Sequence, residues 1–116
     1  MDPEESFRKI SAYCLAKAGA FEDHPWGDTV FKVGPKGKIF CFCGVQSPVI
    51  CVKSTIEKQA ALIQHPNIEI AQYVGRHGWV TVHMRDEETF HLAFDLIDES
   101  YAMIAPAAKK ARKLGS

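Results

Sequence analysis

A chain of 116 residues with 47% hydrophobic content has the length of one ordinary domain and apolar material for a single core. Lys plus Arg and Asp plus Glu each number 14, so the zero net charge excludes a protein that is basic or acidic throughout. The opening MDPEESFRKI lacks the basic-then-apolar pattern of a signal peptide, and no apolar run approaches the roughly 20 residues of a membrane helix; both predict a cytoplasmic protein without a membrane partner.

The first element expected is a helix over residues 3–18. Asp2 stands at the N-cap position, Pro3 at the first helical position and Glu4 and Glu5 in the first turn, where carboxylates meet the positive end of the helix dipole. Phe7, Ile10, Cys14, Leu15 and Ala18 recur at three- and four-residue steps, and Gly19 supplies a stop. The stretch AFEDHPWGD then reads as a loop, with Trp26 expected to plug one edge of the core.

Residues 28–44, DTVFKVGPKGKIFCFCG, hold two runs rich in Val, Ile and Phe around Gly34-Pro35-Lys36-Gly37, which predicts a β-hairpin. The first arm alternates, with Phe31 and Val33 on one side and Lys32 on the other. The second arm is apolar on both sides. A four-residue loop sets Phe40 and Phe42 beside Phe31 and Val33, and a five-residue loop sets Ile39, Cys41 and Cys43 there; the phenylalanines are preferred inside because they bury more area.

Gln46-Ser47-Pro48 marks the next turn, and Val49 to Lys53 a third antiparallel strand. Ser54 or Thr55 caps a short helix ending near His65, with Ile56, Ala60 and Ile63 on one face and Pro66 forbidding continuation. Ile68–Val74 and Trp79–Met84 read as a second hairpin around Gly75-Arg76-His77-Gly78. The last helix starts near Asp86-Glu87-Glu88 and carries Phe90, Phe94, Ile97, Tyr101 and Ile104; Pro106 is expected to kink or end it, leaving a basic tail at about 106–116.

This order predicts a single α+β domain spanning 1–116. It would be a two-layer sandwich with an antiparallel sheet of about five strands and helices on one face, in the order α-β-β-β-α-β-β-α. Phe31, Phe40, Phe94 and Ile97 should lie in its core. Charge is unevenly spread: residues 29–85 carry seven Lys/Arg against two Asp/Glu, whereas residues 86–105 carry six Asp/Glu and no Lys/Arg. The sheet is therefore basic and the last helix acidic.

PWG at 25–27, VFKV at 30–33, GKIF at 37–40, HGWVTV at 77–82 and LIDESY at 96–101 together resemble the MmcQ/YjbR family, over nearly the whole chain. The resemblance implies a CyaY-like (frataxin-like) fold and a DNA-binding role through a double wing, two hairpins projecting from the sheet. On this chain the wings correspond to the turns at 34–38 and 75–78. The physical case rests on Lys36, Lys38 and Arg76 reaching phosphates, with His77 beside them, Lys32 and Lys53 extending the basic surface, and Trp79 adding a stacking or wedge contact.

The alternative reading is a protein-interaction module, with a protein partner or a second copy on the open sheet face. A thiol-based metal or redox domain ranks behind both. Cys41, Cys43 and Cys51 would share one sheet face with His83 as a fourth ligand, yet C-x-C is not the usual zinc spacing and free cysteine packs as a small hydrophobe. Iron binding would want more than Asp2, Glu4 and Glu5, which capping explains. His24, His65, His83 and His91, and the acids Asp95, Asp98 and Glu99, stand at no interpretable catalytic spacing. No enzyme activity, no metal and no cofactor is expected.

Overall fold

The computed structural model describes residues 2–25, 28–44 and 48–114, with side chains as far as residue 105. Helix α1 (Pro3–Leu15) begins at its cap, where the Asp2 carboxylate accepts from the Glu4 N–H at 3.1 Å. It ends at Leu15 rather than near residue 18, and Gly19 at φ 74° swings the chain into β1 (Ala20–Asp23). This strand lies within the stretch read as a loop. Phe21, Glu22 and Asp23 are all exposed and only Ala20 is half-buried, so an edge strand with no buried face left no alternation to read.

The chain continues through β2 (Thr29–Val33), β3 (Lys38–Cys43), β4 (Val49–Lys53), α2 (Ile56–Leu62), β5 (Ile68–Ile70), β6 (Trp79–His83) and α3 (Glu87–Leu114). The fold is α+β: one open antiparallel sheet in the order β1-β2-β3-β4-β6-β5, six strands instead of about five, with α1 and α3 packed together on one face. Trp26 and the Gln46-Ser47 part of the second turn lie outside the described residues.

Neither expected register of the first hairpin is right by itself. Phe31 pairs with Cys41 and Lys32 with Ile39, so Phe40 is the extra residue of a β-bulge. The bulge turns Phe40 and Cys41 both toward the helices, and both are fully buried. Beyond it, Cys43 faces the core while Phe42 points to the open face and packs edge-on against Trp79, ring centroids 5.7 Å apart. The preference for phenylalanine inside holds for Phe40 and fails for Phe42, since the bulge shifts the phase of the strand by one residue.

Phe31, Phe40 and Ile97 are fully buried; Phe94 is half-buried at the α1–α3 seam, edge-on to Tyr13 at 4.8 Å and to Phe90 at 5.0 Å. Ser100 fastens α3 to the sheet: its hydroxyl donates to the Phe40 carbonyl at 2.7 Å and accepts from the Lys53 N–H at 3.0 Å. Those two backbone groups sit beside the bulge, where no strand partner takes them. Pro106 does not end α3, which runs on to Leu114. In α2 the expected apolar face is not the buried one: Ile56 is 56% exposed, whereas Gln59 is buried and donates from Nε2 to the carbonyls of Gly75 (2.7 Å) and Trp79 (2.8 Å).

Asp98 closes the α1–α3 seam, accepting from the Tyr13 hydroxyl at 2.8 Å and from Lys17 Nζ at 2.5 Å. Partial burial pushes its carboxyl up, but the Lys17 and Tyr13 hydrogen bonds outweigh that and hold it below the ordinary carboxylate value. Because the folded-state value is depressed, the pair stabilises above the unfolded value of about 3.9 and is lost as pH falls through the folded one. Asp98→Asn should therefore cost about 0.5–1 kcal/mol at neutral pH, a figure already reduced for solvent screening because Asp98 is 45% exposed. Urea unfolding should show this deficit begin to shrink as pH falls below about 4.

Candidate functional site

The first tip, Gly34 to Gly37, joins β2 to β3. Gly34 and Gly37 both take positive φ, 86° and 63°, and the Gly37 N–H donates to the Gly34 carbonyl at 3.0 Å. Lys36 and Lys38 are exposed, carried on a short and well-bonded turn.

The second tip is not the simple four-residue hairpin expected. Strand β5 stops at Ile70 instead of Val74, and Gly75–His77 forms a single 3₁₀ turn closed by Gly78 at φ 95°. The physical reason is Gln59, which takes the Gly75 and Trp79 carbonyls and pulls this segment toward α2. Arg76 and His77 are exposed, and Arg76 Nε donates to His77 Nε2 at 3.3 Å.

Register decides where the tips lie relative to each other. Val33 pairs with Lys38, Lys53 with Trp79, and Ile70 with Val80, so the β2–β3 turn, the end of β4 and the β5–β6 connection share one end of the sheet. Three strand spacings separate the two turns, about 14 Å. Between them Lys53 Nζ donates to the His77 carbonyl at 3.1 Å, bracing the second tip while adding charge to this end.

Two of the seven sequence-predicted residues have other partners. Lys32 Nζ lies 2.6 Å from the Asp23 carboxylate on β1, and this hydrogen bond, with the His24 N–H, lowers the Asp23 pKa. Trp79 lies on the open face, but it is only 9% exposed and packed edge-on against Phe42, so it is not a free stacking surface. Lys36, Lys38, Lys53, Arg76 and His77 come together; Lys32 and Trp79 do not join them as free groups.

The thiols do not share a face. Cys51 pairs with Phe42 and therefore points to the open side, whereas Cys41 and Cys43 point to the helices. Cys14 from α1 sits against Cys41, and this hydrogen bond together with burial raises the Cys41 pKa well above its ordinary value. Burial pushes Cys43 to about 12 and Cys51 to about 11, leaving thiols where a nucleophile or ligand needs thiolates. All four cysteines are free, and among the described residues no three His, Cys, Asp or Glu side chains converge as a metal site.

The sequence carries no sign of a groove of about 490 Å³ on the open face. Phe42, Cys51 and Thr81 form one cross-strand row in its floor, drawn from three strands that only the register aligns.

Among solved structures, a crystal structure of a protein from Pseudomonas syringae, determined as a structural-genomics target, is similar to this chain with a TM-score of 0.67 at 22% identity. The match covers 84% of this chain and 97% of that one, which supports the fold alone. No curated protein matches the chain. The YjbR family model matches residues 15–103, from the end of α1 through the part of α3 that covers the sheet, and the chain belongs to the YjbR family.

Proposed function

We propose that this protein binds nucleic acid through its phosphates, using the basic end of the sheet as two wings. The reading is supported above all by the two tips sharing one end about 14 Å apart, a spacing comparable to the width of a DNA major groove. Lys36 and Lys38 stand on one wing and Arg76 and His77 on the other, all exposed, with Lys53 between.

Contacts of this kind read charge, so binding is mainly sequence-independent, weak and salt-sensitive. Anisotropy titrations of labelled duplex and single-stranded DNA between about 50 and about 200 mM salt should give a log-log slope of about −2 to −4. Lys36→Ala combined with Arg76→Ala should flatten that slope by about two units without unfolding the protein, because both positions are exposed turns. The reading is overturned if wild type binds neither DNA at low salt, or if the double variant keeps the wild-type slope.

A further inference from the structure

Two aromatic rings stand at the same end of the sheet as the basic tips. Among the described residues, Phe21 and Tyr73 are the Phe, Tyr and Trp side chains that are exposed, at 42% and 94%, whereas Trp79 is covered. Phe21 belongs to the first tip. It pairs with Lys32 across β1 and β2, so it faces the open side of the sheet, and its Cζ would lie 3.5 Å from a Cβ placed on Gly37. Tyr73 belongs to the second tip, three residues before Arg76 and past the last rung between β5 and β6, where the Ala71 N–H donates to the Trp79 carbonyl at 3.2 Å. It lines the open-face groove, so both rings lie on the same side of the sheet.

Burial does not account for either ring, since a large aromatic side chain left in water forgoes the area it would bury in a core. Tyr73 is also the one non-glycine residue with positive φ among the described residues, at 65°, a conformation that glycine takes without strain and a bulky side chain does not. Asp23, the carboxylate on the same face as Phe21, is held by Lys32 Nζ at 2.6 Å, which offsets its charge beside the first tip. In lateral order this end of the sheet therefore reads Phe21, then Lys36 and Lys38, then Lys53, then Arg76 with Tyr73, which sets the cations between two rings. The outermost members stand up to five strand spacings apart, about 24 Å.

We propose that this end of the sheet takes single-stranded nucleic acid, with unpaired bases stacked on Phe21 and Tyr73 and the phosphates between them on the tip cations. The proposal rests on the phosphate-binding reading and adds the class of strand to it. Phosphate contacts serve a duplex and a single strand alike, whereas a base already paired and stacked in a duplex offers its face to neither ring. Aromatic rings beside a basic track are how proteins hold single strands without reading sequence, over site sizes of about 4–16 nucleotides. DNA and RNA strands present the same base faces and phosphates and differ at the 2′-hydroxyl.

The test is fluorescence anisotropy at about 50 mM salt with labelled probes of about 12 nucleotides: oligothymidylate, oligouridylate, an abasic strand with the same phosphates, and a duplex. Oligothymidylate should bind at least about tenfold tighter than the abasic strand or the duplex. Phe21→Leu and Tyr73→Gly should each weaken oligothymidylate about tenfold, leave the abasic strand unchanged and keep the wild-type salt slope, because neither removes a cation. Tyr73→Phe, which keeps the ring, should bind like wild type. Phe21→Leu keeps an apolar side chain against the Gly37 turn and Tyr73→Gly relieves strain, so both variants should melt no lower than wild type. Whichever of oligothymidylate and oligouridylate binds tighter assigns the sugar. The proposal is overturned if the abasic strand or the duplex binds as tightly as oligothymidylate, or if both ring variants bind it like wild type. Either result leaves the phosphate reading standing when Lys36→Ala with Arg76→Ala still flattens the salt slope, whereas binding to none of the probes overturns both.

Discussion

Gly78→Ala should lower the unfolding free energy by about 3–5 kcal/mol, a large share of the roughly 5–15 kcal/mol of a small domain. A Cβ at this position would stand 2.1 Å from the Ser54 carbonyl oxygen and 3.0 Å from its carbon, both backbone atoms that cannot rotate away. The φ of 95° adds about 1–2 kcal/mol of intrinsic strain for an L side chain. Relief requires separating β6 from the end of β4, which breaks the Ser54 N–H bond to the Gly78 carbonyl at 3.0 Å, worth about 1 kcal/mol. Thermal unfolding should report a Tm lower by more than about 10 °C. Gly37→Ala is the control: its φ is also positive, at 63°, but the nearest atoms are Lys32 Cδ at 3.4 Å and Phe21 Cζ at 3.5 Å, so it should cost only about 1 kcal/mol. Equal losses at the two glycines would show that strain alone, and not the close approach to Ser54, governs position 78.

Phe40→Ala should cost about 3–5 kcal/mol, and Phe42→Ala about half as much, although the two are near neighbours on one strand. Phe40 is fully buried under α3, edge-on to Tyr101 at 5.3 Å, where truncation leaves a cavity that the bulge backbone cannot collapse into. Its carbonyl is held by Ser100, which fixes the bulge and limits relaxation. Phe42 is half-buried on the open face, and its loss is shared with solvent. Urea denaturation of the two variants decides the matter; a larger loss at Phe42 would place the bulge elsewhere in β3.

The two leading energetic effects both belong to places where sequence reading was incomplete. Gly78 stood out only as a turn residue, whereas its lack of a Cβ permits a close approach to Ser54 within the same chain. Gln59 is a similar case. On a short helix with Ile56 and Ile63 nearby it carries no signal of burial, yet it is the side chain that satisfies two carbonyls at the second tip.

What the sequence by itself determined is everything carried by local chemistry. The cap at Asp2, Thr55 capping Lys58 at 3.0 Å, Asp86 capping Thr89 at 2.8 Å, and the Gly34–Gly37 turn are all settled within a few residues of chain. The apolar stripe of α3 is equally local, and the exposed charges of the two tips follow from their place on turns. Only the tertiary structure decided the rest. In β3, KIFCFC is apolar on both faces, so alternation has no contrast to read, and the side facing the core is set by a bulge that Ser100 and the helix layer hold in place. Strand β1 is formed by pairing with β2 rather than by burial of its own side chains, and pairing leaves no periodic trace in the sequence. The two basic turns lie about forty residues apart along the chain, and it is the antiparallel register across β3, β4 and β6 that brings their charges to one end of the sheet.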